Sequence, residues 1–153
     1  MVSFSITRPV HASAAHAFDV VVRHQAENHP RWEDEVLEVR PLDSIEGVGH
    51  RSVMVRKEGR KVRERVNRCV EYVPGARAAY SHEDPLMDFW IAFDFTPTGL
   101  QTSDLTVNVR LTPHGALRAM TPVLALVTPR KGRRITARTV DVIEQTPAYA
   151  DRS

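Results

Sequence analysis

The sequence predicts an α+β protein in which a curved antiparallel sheet of about six to seven strands wraps around a long C-terminal helix. Two observations predict this class. Apolar and polar residues alternate with a period of two at the N-terminus and through most of the chain from His50 to Pro113, as in half-buried strands. After Pro113 the apolar residues recur every three or four positions, as in a helix with one buried face.

The N-terminal region predicts a strand followed by one or two short helices. "VSFSIT" (2–7) alternates between apolar and polar residues, which is the pattern of a strand. Ser13 then offers a helix N-cap, and Phe18 begins an apolar stripe at helical spacing. In "QAENHPRWEDE" (25–35), Pro30 breaks the pattern, so we expect a short helical turn or a loop there.

A meander of strands is predicted between Val36 and Pro113. The turn segments "DSIEGVG" (43–49) and "PGA" (74–76), together with Gly59, separate stretches of strand length. The clearest apolar face belongs to the last two stretches, and its members are Phe89, Ile91, Phe93, Phe95, Leu105, Val107, Val109 and Leu111. A sheet with one apolar and one polar face has one side against a core and the other in water.

The C-terminal helix is expected to cover that apolar face. Its stripe runs at steps of three, four and three through Leu117, Met120, Leu124 and Val127. A continuous helix from 115 to 145 would be ~46 Å long at ~1.5 Å per residue. Three residues are expected to kink, interrupt or loosen it, namely Pro122, Pro129 and Gly132.

Composition and charge exclude several classes of protein. With 42% hydrophobic and 26% charged residues, the 153-residue chain is expected to be one globular domain over residues 1–153, and its net charge of +2 is too small to indicate a polyanionic partner. Between Glu27 and Glu46 there are seven acidic residues and two arginines, whereas between Leu105 and Val140 there are seven basic residues and no acidic one. These segments could attract each other within one fold or between two subunits, which leaves a homodimer open, or they could face different partners.

The sequence predicts a cytoplasmic protein without a transmembrane segment, metal or cofactor. A single cysteine, Cys69, excludes an intrachain disulfide and fits a reducing compartment. "MVSFSITRPV" has no secretory signal pattern, and the apolar run 119–127 is far shorter than the ~20 residues that span a bilayer. No spacing of histidines and cysteines indicates a metal site, and no glycine-rich loop indicates a nucleotide.

The stretch 62–72 carries charges on both of its faces. One face is nearly all polar and includes Cys69, so we assign it to solvent and the opposite face, with Glu64 and Arg68, to the interior. A buried charge is costly unless it is paired or wetted. Two interpretations stay open: a structural pair at a sheet edge, or polar groups in an apolar cavity of ligand size.

The chain resembles the helix-grip fold of the START-like (SRPBCC) superfamily, in particular its bacterial polyketide cyclase/dehydrase-like branch. The similar segments are "ITRPVHASAAHAFDVVV", "ENHPRWEDEVLEVRPL" and "RERVNRCVEYVPGARAAY". The resemblance implies a cavity between the sheet and the C-terminal helix that holds a small hydrophobic or aromatic, polyketide- or lipid-like molecule. Catalysis by Glu64 and Arg68 would follow if the two side chains acted as base and as stabiliser of a carbonyl or enolate.

The residues expected to line such a cavity come from the loop after the first helices, the sheet and the last helix. They are Trp32, Val66, Tyr72, Tyr80, Phe89, Ile91, Phe93, Val107, Val109, Met120 and Leu124. Three functions remain open: a non-catalytic carrier, a cyclase or dehydratase, and a module that docks RNA, ribosome or protein. The last would use the basic cluster Arg130, Lys131, Arg133 and Arg134. Nucleic acid is the less favoured partner, because no aromatic residue between Phe95 and Tyr149 is present to stack on bases.

Overall fold

A computed structural model describes residues 1–149 and contains one seven-stranded antiparallel sheet. Its strands are β1 (Val2–Val10), β2 (Val36–Pro41), β3 (Arg51–Glu58), β4 (Lys61–Val73), β5 (Arg77–His82), β6 (Met87–Gly99) and β7 (Thr102–Pro113). They lie in the order β1-β7-β6-β5-β4-β3-β2, so that only β1 departs from a simple meander. The predicted α+β class, the helix-grip architecture and the strand number are confirmed.

Two short helices follow β1, as the sequence predicts. Helix α1 (Ala14–Phe18) begins at Ser13, whose hydroxyl accepts a hydrogen bond from the amide of His16 at 3.1 Å. A π-helical turn (Asp19–Arg23) then leads into α2 (Gln25–Trp32), which contains Pro30. The buried residues of this region close one end of the core, with Phe18 wholly buried between the rings of Tyr72 and Phe95.

The last helix, α3, spans Thr121–Gln145 and is preceded by a 3₁₀ turn at Gly115–Met120. The expected interruption by proline is wrong. Pro122 lies in the first turn, where its missing N–H has no helical partner to lose, and the helix continues through Pro129. Gly132 does not loosen the helix either, because it marks the closest approach of α3 to β1: a Cβ atom there would lie 2.6 Å from the ring of Phe4.

Helix α3 covers only part of the concave face of the sheet. It packs mainly on β1, and its buried residues all lie in its C-terminal half, from Thr136 to Ile143. In the N-terminal half Leu124 packs against the core, whereas Met120 and Val127 are exposed. The prediction that one continuous stripe grips the sheet is therefore wrong for its first two turns.

The acidic and basic segments contact each other within the chain. Lys131 of α3 lies 2.6 Å from Glu35, and Arg138 lies 2.9 Å from Asp34. These pairs join α3 to the segment between α2 and β2. This is the intramolecular alternative of the sequence analysis, and a homodimer remains an untested prediction. Within residues 1–149 no helix is both long and apolar enough to cross a bilayer.

Candidate functional site

The predicted direction of the side chains along β4 is wrong for the first part of the strand. Glu64 is 63% exposed and lies 3.6 Å from Arg40 on the outer face of the sheet, and Arg68 and Val66 are exposed beside it. The side chains that point inward are those of Arg65, Asn67 and Cys69. Glu64 and Arg68 therefore have no access to the interior, and Val66 cannot line a cavity there.

The polar side of β4 faces inward because its polar groups find partners on the concave face. Arg65 lies 3.0 Å from Asp84, and the Oδ1 atom of Asn67 accepts a hydrogen bond from Nδ1 of His82 at 3.0 Å. Buried polar groups are tolerated when they are paired in this way. The valines on the opposite side remain exposed, as β-branched residues suit strands whether or not they are buried.

A bulge reverses the alternation of β4 beyond Cys69. The pairing of β4 with β5 shifts by one residue between Cys69 and Glu71. One extra residue exchanges the two faces of a strand. Tyr72 therefore points inward, as the sequence analysis expects, although Val66 does not.

An open cavity of about 790 Å³ lies on the concave face at the β2 side of the sheet. Its floor is formed by side chains of four strands: Val39, Pro41, Ser52, Cys69, Tyr72 and Tyr80. The opposite wall comes from the π-helical turn, the start of α2 and the loop between β2 and β3, with Tyr149 at one side. Within the described residues α3 contributes nothing to this lining, so the cavity lies beside the C-terminal helix and not beneath it.

Tyr80 places an unpaired hydroxyl at the floor of this cavity. Its side chain is only 7% exposed, and no group within residues 1–149 is hydrogen-bonded to its oxygen. Burial raises the pKa of the phenol far above its ordinary value, with smaller contributions from Cys69 and Tyr72. The hydroxyl therefore stays protonated and available as a donor to an oxygen or nitrogen atom of a bound molecule.

The loop between β2 and β3 forms the rim of the cavity and is organised by Asp43. One carboxylate oxygen accepts hydrogen bonds from the imidazole of His50 at 2.7 Å and the amide of Ile45 at 3.1 Å, and the other accepts from the amide of Arg51 at 3.1 Å. Burial alone would raise the pKa of Asp43, but the hydrogen bonds, led by that of His50, lower it. The rim is thus held by an ionised carboxylate.

Tyr72 ties this rim to the floor. Its hydroxyl donates to a carboxylate oxygen of Glu46 at 2.9 Å, and the same oxygen lies 3.3 Å from Arg23 on the π-helical turn. Gly47 lets the loop pass close to the Tyr72 ring, since a Cβ atom there would lie 3.4 Å from the ring at a backbone φ of 104°. The carboxylate of Glu46 therefore links the loop both to the floor and to the helical wall.

Two further groups on the concave face carry potential chemistry. Cys69 is buried at the cavity floor, which corrects its expected place on the solvent face, and burial raises the pKa of its thiol. His82 lies beyond Tyr80 on β5 and stacks on Phe89, with ring centroids 5.1 Å apart. Burial and the charges of Arg65 and Arg56 lower the pKa of His82, so its imidazole is neutral at pH 7.

The remaining predicted lining residues are distributed over the core and the helix. Among the expected residues only Tyr72 and Tyr80 line the 790 Å³ cavity. Trp32 is buried against His29, and Met120 is exposed at the start of α3. The others belong to or pack against the main core beyond this cavity: Phe89, Ile91, Phe93, Val107, Val109 and Leu124.

Sequence reasoning missed the residues of the rim and the imidazole of the inner face. Asp43 and His50 lie in a segment that is recognised only as a turn, and "YSHEDP" at 80–85 is interpreted as a polar strand end. The alternation of Tyr80 and His82 on one face of β5 was the available signal. Within residues 1–149 no three His, Cys, Asp or Glu side chains are grouped so that they could hold a metal ion.

The fold and the open cavity place this chain in the helix-grip class of ligand-binding domains. The sequence matches the family described as "Polyketide cyclase / dehydrase and lipid transport" over residues 1–144, and the chain belongs to that family. No curated protein matches the sequence.

Solved structures with similar folds include enzymes and proteins of unstated activity. The Zhui aromatase/cyclase from Streptomyces sp. R1128 superposes with a TM-score of 0.77 at 12% identity, covering 94% of this chain and 93% of that one. A START superfamily protein from Mycobacterium smegmatis gives 0.77 at 14% identity, covering 94% and 97%. Norcoclaurine synthase from Thalictrum flavum, in complex with dopamine and hydroxybenzaldehyde, gives 0.70 at 13% identity, covering 96% and 88%. At these identities the likeness shows the shared fold.

Proposed function

We propose that this protein binds a small hydrophobic or aromatic molecule, polyketide- or lipid-like in character, in the cavity beside Tyr80. The supporting observation is the hydroxyl of Tyr80, whose oxygen reaches the open cavity and has no hydrogen-bond partner in residues 1–149, although the residue as a whole is only 7% exposed. A buried polar group without a hydrogen bond costs free energy unless a ligand or water satisfies it. A ligand with apolar surface and one oxygen acceptor would meet both the hydroxyl of Tyr80 and the apolar side chains of Val39 and Pro41 on the floor.

The family and the neighbouring structures support the same class of ligand. The family description names cyclase and dehydrase chemistry together with lipid transport, and an aromatase/cyclase and a synthase complexed with two aromatic compounds share the fold. A cavity of about 790 Å³ has the size of a typical small-molecule site.

The first experiment is native mass spectrometry of the purified protein, in which we expect a co-purifying aromatic or lipid compound. Binding is then measured by calorimetry with acetylnaphthalene and with isopropylnaphthalene, which has nearly the same shape but no carbonyl oxygen. We expect Tyr80→Phe to weaken the binding of acetylnaphthalene by roughly fivefold to tenfold, which corresponds to the loss of about one hydrogen bond. The binding of isopropylnaphthalene should stay unchanged.

Tyr72→Phe is the matched control, because it removes a hydroxyl from the same cavity whose partner is already Glu46. This variant should change the affinity for both probes by the same factor. If no compound co-purified and neither probe bound, the binding function would be wrong. If Tyr80→Phe lost the same affinity for both probes, the hydroxyl of Tyr80 would not be part of the binding site.

A second candidate function is cyclase- or dehydratase-type proton transfer, with His82 as the base in place of Glu64 and Arg68. The observation that favours it is the bond from Nδ1 of His82 to Asn67, which fixes the tautomer and leaves Nε2 as an unprotonated acceptor. A neutral imidazole can remove a proton from the carbon beside a ketone, and a neighbouring hydroxyl donor can stabilise the enolate oxygen.

Deuterium incorporation into the methyl group of acetylnaphthalene, followed by NMR, tests this candidate without knowledge of the natural substrate. The parent protein should accelerate the exchange and His82→Gln should abolish the acceleration. His114→Gln is the control, since His114 follows β7 and is paired with Asp88 at 3.0 Å. Unchanged exchange in His82→Gln would leave a carrier as the remaining function.

A further inference from the structure

The N-terminal half of α3 exposes large apolar side chains that nothing in the described chain covers. Val123 is 48% exposed, Leu126 59% and Val127 51%. Leu86 is 56% exposed in the loop between β5 and β6, and its carbonyl accepts a hydrogen bond from the amide of His114 at 2.8 Å, so that this loop lies at the same end of the molecule as the start of α3. An apolar surface is thus concentrated at one tip.

Basic residues continue the same face of the helix. Val123, Val127, Arg130 and Arg134 follow at steps of four, three and four, and Leu126, Arg130 and Arg133 at steps of four and three. We call these six residues the α3 patch. Its three arginines are exposed and make no ion pair within residues 1–149. Arg134 is the closest of them to an acid, because it helps to lower the pKa of Asp34.

The charge of the patch is not neutralised from its own surroundings. No acidic residue occurs between Leu105 and Val140, and Arg118 adds another exposed cation beside the apolar tip. Asp34 and Glu35, the acids before β2 that contact the helix, are already paired with Arg138 and Lys131. Glu83 is the exposed acid in the loop beside Leu86. The patch therefore combines exposed apolar area with excess positive charge.

We propose that the α3 patch docks the protein onto the surface of an anionic lipid bilayer. Leu126 and Arg133 are separated by about 10 Å along the helix axis at ~1.5 Å per residue. A helix that tilts its N-terminal end into the interface buries apolar side chains about 5–10 Å into the boundary of headgroups and acyl chains, with its cations near the lipid phosphates. The order of the six residues along α3 matches that arrangement.

An RNA partner fits the patch less well. RNA would use the three arginines and leave Val123, Leu126 and Val127 in water, and the helix offers no aromatic side chain for base stacking. An anionic bilayer uses both halves of the patch. This inference is independent of the ligand that the cavity binds.

Co-sedimentation with vesicles tests the docking. The probes are vesicles of pure phosphatidylcholine and vesicles of equimolar phosphatidylcholine and phosphatidylglycerol. We expect the parent protein to bind the second kind and not the first, with binding that weakens as salt is raised. The triple variant Val123→Ser, Leu126→Ser, Val127→Ser should lose about tenfold in partitioning, and Arg130→Gln with Arg133→Gln and Arg134→Gln should lose at least as much.

A matched control exists on the outer face of the sheet. Leu37, Val62 and Val66 are 51%, 60% and 50% exposed, which reproduces the residue types and exposure of the apolar triple. Their replacement by serine should leave vesicle binding unchanged. Circular dichroism verifies folding, and single Leu126→Ser replaces the triple variant if that one unfolds.

Three outcomes would overturn the proposal. They are absence of binding to the anionic vesicles, equal binding to both kinds of vesicle, and unchanged binding of the apolar variant. Tight binding of the parent to single-stranded RNA that depends on the three arginines and not on the apolar triple would assign the patch to nucleic acid instead.

Discussion

Nδ1 of His82 and Oδ1 of Asn67 lie 3.0 Å apart on neighbouring strands of the concave face. Asn67 is itself fixed, since it is buried and its amide nitrogen lies 3.9 Å from the sulfur of Met54. The hydrogen bond fixes one tautomer of the imidazole, and burial together with the charges of Arg65 and Arg56 keeps the ring neutral. Of the contacts on the concave face, this hydrogen bond most resembles the one that orients a catalytic histidine.

Replacement of Asn67 by aspartate should raise the pKa of His82. Burial and two arginines hold that pKa below its usual value, and a carboxylate at hydrogen-bonding distance favours the imidazolium. We expect a clear upward shift of the pKa, measured by NMR titration of the His82 ring. Asn67→Ser, which adds no charge, is the control. Equal pKa values in the two variants would contradict the hydrogen bond.

Glu33 should make the protein sensitive to acid. Burial alone would raise the pKa of Glu33, but the hydrogen bond from His29 and the charge of Arg56, whose nitrogen is 2.6 Å away, lower it from 4.5 to about 2. A carboxyl whose pKa is lower in the folded state stabilises the fold above the unfolded pKa. That stability, roughly 3 kcal/mol, is lost as the pH falls from 4.5 towards 2.

Denaturant unfolding between pH 7 and pH 2.5 measures this effect. Glu33→Gln should be less stable at pH 7 and should show a flatter loss of stability below pH 4.5. Asp34→Asn, next to it in sequence and with a 79% exposed carboxylate, should keep the steep loss of the parent. Parallel curves for the parent and Glu33→Gln would show that the acid transition has another origin.

Gly132→Ala should destabilise the fold even though alanine is the better helix former. Helix propensity favours alanine by about 1 kcal/mol, whereas a Cβ atom 2.6 Å from the Phe4 ring forces a displacement that costs about 1–3 kcal/mol. We expect a net loss of about 1 kcal/mol in the free energy of unfolding. In a Phe4→Leu background the same change should cost less or stabilise, and an equal loss in both backgrounds would exclude the contact as the cause.

Substitutions of Glu64 and Arg68 should have little effect on the interior. Both side chains are exposed on the outer face, so Glu64→Gln and Arg68→Met should change the free energy of unfolding by no more than about 0.5 kcal/mol. Affinity for acetylnaphthalene should match that of the parent in the same calorimetric titration. A tenfold loss of affinity in either variant would place these residues closer to the ligand than the sheet allows.

The sequence predicts the architecture well because local patterns carry it. The alternation in "VSFSIT", the cap at Ser13 and the apolar face of β6 and β7 each determine an element or a buried side by themselves. In β4 the same rule failed, because it presumes that the interior is apolar. Here the inward side of the strand is polar and is satisfied by His82 at the end of the next strand and by Asp84 in the loop after it, contacts that the pattern of β4 alone does not reveal.

The cavity could not be predicted from spacing, since it depends on which elements α3 leaves uncovered. The predicted apolar stripe runs from Leu117 to Val127, yet the buried side chains of α3 lie between Thr136 and Ile143, and the spacing of the residues contains no signal for that difference. Tyr80 was among the residues expected to line a cavity, and it lies at the cavity floor. The rim at Asp43 depends on hydrogen bonds to backbone amides, which a sequence pattern does not reveal.

The bulge after Cys69 divides β4 into two parts in which the inward and outward positions alternate in opposite order. Before the bulge the side chains at odd-numbered positions point inward and are mostly polar. After it the even-numbered Tyr72 points inward and forms part of the cavity floor. If Val70 were deleted, the pairs Cys69–Tyr80 and Glu71–Ala79 would follow each other directly, and both Cys69 and Tyr72 would stay on the concave face. The extra residue thus shifts the alternation of β4 by one position while the same face of the sheet remains the one that lines the cavity.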